Sequence, residues 1–305
     1  MKNFLFPLLA VLLWSINAVV SKAAANVIDP AAISFYRWLL AFLILTPFMI
    51  KGIIKNRTVL RQYGWKLFIL GALGMVLYQS LAYYAAHTVS ATFMGVLNSV
   101  IPLLTVILSI FVLRTIPTIG IVIGSLLSLM GLIWLVSQGE PMLFFSQGIN
   151  RGQLLMFIAA LSYSLYGVLT KHWAIPLPNW QSLYIQISFA VLLLLPNFLL
   201  AKTVAITAAN INLILFAGIA ASLIAPYLWI QGVFRLCANT TSIFMNLAPV
   251  FTAIIAVLFL KEKMHSYHLI GGGIVLLGVI LAQQLRTPLT QLFNHHRSKA
   301  NKKVE

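Results

Sequence analysis

Long apolar runs, separated by short clusters of charge, proline and small polar residues, make up nearly the whole chain. They fall at roughly 4–22, 31–50, 65–86, 90–113, 117–136, 152–171, 180–200, 210–233, 238–260 and 267–285. Each approaches the ~20 residues that carry a helix across a hydrocarbon core. Lipid offers no partner to a bare backbone N–H or C=O, and the two-residue alternation of a membrane barrel is absent, so the runs predict helices. The expected fold class is an all-α integral membrane protein with ten transmembrane helices.

Composition agrees and excludes a soluble domain: 61% of the 305 residues are hydrophobic and 8% charged, against ~25% charged in soluble chains. The net charge of +16 sits in the gaps and not on one amphipathic face, so the expected partner is membrane lipid and not nucleic acid. A lone cysteine, Cys237, supports neither a disulfide framework nor a cysteine metal pair. No cofactor and no metal is expected. Lys2, the run Phe4 to Val20 and Ala23–Ala25 imitate a cleavable signal. That run has a counterpart later in the chain, so it is expected to be retained.

Lys and Arg in short loops set orientation. With a cytoplasmic N-terminus, Lys2, Lys51, Lys55, Arg57, Arg61, Lys66, Arg114, Lys171, Arg235 and the bases from Arg286 onward lie inside. Only Lys22, Arg151, Lys202, Lys261 and Lys263 lie outside. The expected location is the inner (plasma) membrane with both termini cytoplasmic, and 286–305 forms a basic cytosolic tail.

The two halves resemble each other. At one constant offset Ala10, Ser15, Val19 and Lys22 meet Ala159, Ser164, Val168 and Lys171, and Trp14 meets Tyr163. A slightly shorter offset aligns Ala91 with Ala238, Pro102 with Pro249, Thr105 with Thr252, and Gly124 and Gly131 with Gly271 and Gly278. Coincident Pro, Gly, Ser and Lys are informative in so apolar a chain. Repeats 1–148 and 149–285, each with five crossings, would be threaded oppositely. Secondary transporters use this plan, with a midplane site where inverted repeats meet and alternating access as one bundle rocks on the other.

Trp14-Ser15-x-Asn17 with Lys22, Phe35-Tyr36-Arg37-Trp38 with Ala41, the paired Pro102 and Pro249, and Leu258-Phe259-Leu260-Lys261-Glu262-Lys263 together resemble EamA-type transporters of the drug/metabolite transporter (DMT) superfamily. The resemblance covers the chain to about Leu285. It implies helices one to four and six to nine around a central cavity, five and ten at the periphery, and metabolite or amino-acid export without ATP. One departure is Arg114-Thr115, where the family usually places the glutamate seen here only as Glu262.

Arg37 lies about six residues into the second helix, ~9 Å below the outer surface. Intramembrane charges face a cavity or a partner. Arg37 therefore either attracts an anionic group of a substrate, or snorkels to headgroups or pairs with Asp29. No Asp or Glu lies well inside a run, so the carboxylate relay common in proton-coupled carriers is not expected. Trp14, Asn17, Tyr163 and Tyr166 are candidate cavity residues at equivalent places in the two halves. Asn98 and Asn246 precede Pro102 and Pro249, where hinges could free carbonyls. Tyr78, Gln79, Tyr83, Tyr227, Trp229 and Gln231 add rings and amides. Taken singly, each could merely bond between helices at ~0.6 kcal/mol.

The function expected is a secondary transporter exporting a small metabolite, an amino acid or related organic solute. A facilitator or importer of the same superfamily is the alternative. A membrane enzyme would want clustered acids or histidines, to which His265 and His268 beside Glu262 are the nearest approach, and a scaffold would want a soluble domain. Gly120, Gly124 and Ser128 with Gly271 and Gly278 allow helices five and ten to pack closely, either within the monomer or across a homodimer.

Overall fold

The structure, a computed structural model, describes residues 2–114, 118–140, 142, 149–236, 241 and 244–285. Thr115, Cys237, Ala238 and the basic tail lie outside the described residues. The helices are α1 (Leu5–Ala24), α2 (Pro30–Lys55), α3 (Arg57–Ala85), α4 (Ala91–Val112) and α5 (Ile119–Val136). They continue with α6 (Arg151–Trp173) and α7 (Asn179–Leu199). α8 is built of Ile211–Leu215, Phe216–Ile224 and Ala225–Leu236. α9 is Phe244–Leu260 and α10 Ser266–Gln284. Eight are long and apolar enough to cross a membrane, while α9 and α10 are shorter apolar helices. The chain is thus a multi-pass membrane protein.

Helix starts follow local chemistry. Asp29 accepts from the Ala31 amide ahead of Pro30, Ser90 from Phe93, and Asn150 and Gln153 close a reciprocal capping box. The principal departure from the apolar runs lies between α2 and α3, where a charged loop was expected. Helix instead continues through Lys51 and Lys55, turns at Asn56 and resumes at Arg57. Long basic side chains reach the interface from a helix end, so charge ends the apolar run without ending the helix.

Packing is pairwise. α5 lies on α10, α2 on α7, and α4 on α9; α1 packs on α8 and α9, as α6 packs on α3 and α4. The α5–α10 contact is backbone-close: a Cβ on Gly124 would collide with the Gly278 carbonyl and come within 2.8 Å of the Ala282 Cβ. The small-residue faces of α5 and α10 are therefore used within the chain.

Contacts at the two ends fix helix direction. At one end Lys22 Nζ donates to the Ala86 carbonyl at 2.7 Å, and Glu262 accepts from the Ala91 amide at 2.7 Å. There too the Asp29 amide donates to the Thr203 carbonyl at 3.2 Å, and Gly152 faces the Ala85 carbonyl. At the opposite end Asn56 donates to Gln181 at 2.7 Å, Trp65 meets Trp173, Phe4 meets Phe244, and the Gly120 amide reaches the Leu285 carbonyl at 3.2 Å. α1 thus ends where α6 begins.

Candidate functional site

A cavity of about 1290 Å³ runs between α1–α4 and α6–α9 and touches α5 and α10. Its lining extends from Ser21, Ala82 and Met156 toward the Glu262 end to Thr118, Phe244 and Gln284 at the other. Beyond Ser21 the Glu262 end is stitched shut. The Glu262 carboxylate accepts from the Ala91 amide and, through its second oxygen, from the Thr92 amide at 3.2 Å and hydroxyl at 2.9 Å. It sits on the positive start of α4, where an anion is favoured.

Arg37 is 3% exposed yet lines the cavity. Its Nε donates to the Ser222 hydroxyl at 2.6 Å, and Nη1 donates to Asn17 Oδ1 at 3.3 Å and Tyr83 Oη at 3.4 Å. With the Gln79 amide oxygen turned toward it, that oxygen accepts from Nη1 at 2.6 Å and Nη2 at 3.2 Å. The guanidinium also lies 5.1 Å from the Trp38 ring centre. Every one of these partners is uncharged. Pairing with Asp29 does not occur: that carboxylate caps α2 and accepts from the Lys202 amide at 3.4 Å. Snorkelling does not occur either, because neutral groups from α1, α3 and α8 hold the head inside.

Two aromatic clusters flank this centre. Trp14 and Trp229 stand 5.5 Å apart, joining α1 to α8. Tyr78 and Tyr163 stand 4.6 Å apart and Tyr163 and Tyr166 5.5 Å apart, joining α3 to α6. Tyr78 donates to Asn98 Oδ1 at 3.4 Å. Gln79, Asn98, Pro102 and Asn246 line the same space. Three candidates lie elsewhere. Tyr83 is buried behind Arg37, Pro249 is buried in α9, and Tyr227 is 47% exposed beside Trp180. Gln231 meets Arg235 at 3.5 Å.

Local backbone explains much of the arrangement. Pro102 and Pro249 each stand in the first turn of a helical segment, after α4 breaks at Val100 and after the 3₁₀ turn Phe244–Leu247. The carbonyls beside them accept from serines on α6 and α1: Ser164 donates to Ile101 O at 3.1 Å and Ser15 to Ala248 O at 3.2 Å. α3 and α8 each contain a π-helical stretch, Ala72–Leu77 and Phe216–Ile224. Their carbonyls accept from outside: Met75 O from Trp38 Nε1 at 2.9 Å, Leu73 O from Ser162 at 2.8 Å, and Ala221 O from Trp14 Nε1 at 3.2 Å. π-stretches often mark functional places in helices, and nothing in the apolar pattern signals them. Ser222, which lies in such a stretch, carries no signal in the sequence for that reason. The capping role of Glu262 was unreadable because it depends on a helix far along the chain. Among the described residues no group of three His, Cys, Asp or Glu could hold a metal.

The model of the EamA-like transporter family matches in two stretches, 1–137 and 150–283. The uncharacterized transporter YyaM of Bacillus subtilis is 26% identical over 86% of this chain and 87% of its own length. An uncharacterized transporter of Archaeoglobus fulgidus is 24% identical over 92% and 96%, and protein PecM of Dickeya dadantii 24% identical over 72% and 74%. A crystal structure titled only as that of a protein superposes with a TM-score of 0.64 at 21% identity, over 93% of this chain and 97% of its own, and shares the fold.

Proposed function

We propose, from the premise that this chain belongs to the EamA-like transporter family, that it is a secondary carrier which exports a small organic solute by alternating access. Two inverted five-helix repeats, 1–148 and 149–285, form its ten crossings, with both termini and the basic tail 286–305 in the cytoplasm of the inner membrane. Transport, and not catalysis, is its activity. Several observations support the antiparallel plan. Each half matches the same family model. Every helix contact named above either maps onto itself or has its counterpart when the halves are exchanged. Arg114 and Lys261, equivalent positions at the ends of α4 and α9, share the left-handed backbone, with φ of 53° and 54°.

The observation that carries the reading is a mostly apolar, aromatic cavity, with Arg37 and a few amides in its wall, that is stitched shut at the Glu262 end and reaches the chain turns at the other. With the Glu262 end outermost, this is the state that accepts solute from the cytoplasm. Trp14, Trp229, Tyr78, Tyr163 and Tyr166 contact the solute's apolar part, while Asn17, Gln79, Asn98, Asn246 and Arg37 meet its polar head. Pro102 and Pro249 act as hinges. α5 and α10, joined through glycine, leave outward faces such as Leu126, Leu129 and Leu277 for lipid or for a second copy in a homodimer.

The test is metabolite profiling of cells with and without the protein, followed by flux of the leading compound in reconstituted vesicles. Trp14→Ala and Tyr163→Ala are expected to abolish flux while leaving membrane insertion intact. Undiminished flux in both would remove the cavity from the transport path.

A further inference from the structure

We infer that the solute is an organic monocarboxylate with an apolar ring or branched body, and that its passage moves net negative charge. This rests on the carrier reading above and narrows its solute. Arg37 is the only charged side chain among the described residues that line the cavity. A guanidinium stays protonated at any physiological pH. Its hydrogen bonds to Ser222, Asn17, Tyr83 and Gln79 satisfy N–H groups but leave the charge uncancelled. In a medium of low dielectric constant that deficit favours an incoming anion far more than it would in water.

The three acids among the described residues do not supply the missing charge. Asp29 and Glu262 cap helices at the sealed end, and Glu140 is exposed. A substrate ammonium would share the cavity with a fixed cation and find no described carboxylate there. An anionic head at Arg37 instead leaves its apolar body among the rings of Trp14, Trp229 and Tyr163, which stand on both flanks. Arg–carboxylate pairing is charge-assisted, and Nη2, whose one named acceptor is Gln79, keeps a second N–H for it.

The same charge balance supplies a driving force. With no carboxylate among the described lining residues to relay a proton, a single negative charge leaving an inside-negative cell is driven outward by the potential. That is worth about fifty-fold in accumulation per 100 mV. Export then requires no co-transported ion.

The experiment uses the full chain reconstituted in vesicles, with protein-free vesicles as background. The probes are 4-hydroxyphenylacetate, its amide, tyramine and tyrosine. Quenching of the cavity tryptophans reports binding, and the current on a supported membrane reports charge movement. Carboxylate binding at least tenfold tighter than amide or amine, with a current whose sign is that of moving negative charge, is the expected result. Tyrosine or tyramine bound and moved while the carboxylate is inert overturns the solute class and leaves the carrier standing. Silence across all four probes, together with no flux of the compound found by metabolite profiling, overturns both. Arg37→Lys is expected to keep the preference for carboxylate over amide, and Arg37→Gln to lose it. A folded Arg37→Gln protein that retains the preference overturns the inference; where that variant fails to fold, the probe series on the unaltered chain decides.

Discussion

At the scale of single residues, the centre of the molecule is an arginine held by neutral oxygens. The Ser222 hydroxyl accepts from its Nε at 2.6 Å and donates to the Ala217 carbonyl at 2.7 Å. Ser222→Ala leaves a buried guanidinium N–H without its acceptor, a loss of about 1–3 kcal/mol. The expected outcome is a lower melting temperature in detergent and weaker solute binding, with Ser222→Thr nearer to the unaltered protein. Equal melting of the alanine variant would show that water replaces the hydroxyl. Arg37 was legible in the sequence as an intramembrane charge, since a charge inside an apolar run is conspicuous. Its partners were not, because they come from three other places in the chain.

Elements matter here mainly where they touch. Glu262 follows α9 and closes the start of α4, so the second half holds the first shut at one end. Charge-assisted bonds of this kind contribute about 1.5–3 kcal/mol each before solvent exposure is discounted. The matching position in the sequence of the first half is Thr115, a residue type without a carboxylate. In a Cys237→Ser background carrying Ser21→Cys, Glu262→Ala is expected to raise labelling by an impermeant maleimide from outside several-fold. An unchanged rate would deny Glu262 any part in closure. The α5–α10 seam gives a second expectation. Gly124→Ala forces a methyl group against the Gly278 carbonyl and should cost about 1–3 kcal/mol, read as a fall in melting temperature. Gly64, whose Cβ would meet nothing within 4 Å, should tolerate alanine without such a fall.

For the molecule as a whole, the proposed exchange of halves makes the sharpest prediction. Insertion tags near residues 60 and 207 are expected to face opposite compartments, the first cytoplasmic and the second external. Tags on the same side would end both the inverted plan and the alternating-access mechanism. The relation extends to detail: Ser15 on Ala248 O repeats Ser164 on Ile101 O, and the π-helical stretches fall in the matching helices α3 and α8. Most of the lining predicted from sequence does meet at the cavity, because mid-run rings and amides have few places to go in lipid. Tyr227 shows the limit of that argument, since it lies mid-run too and is exposed beside Trp180.

The amino-acid sequence alone determined that this is a helical, multi-pass membrane protein, for the apolar runs fit lipid and little else, and its coincident Pro, Gly and Ser are the ground on which a duplication is proposed. Tertiary structure decided which polar groups gather around Arg37, which mid-run aromatics face inward, and which end is sealed. The reason is physical. Hydrophobic length is a local property that each run carries by itself, whereas helix rotation, π-helical register and a cap delivered from a distant turn exist only once the helices have packed.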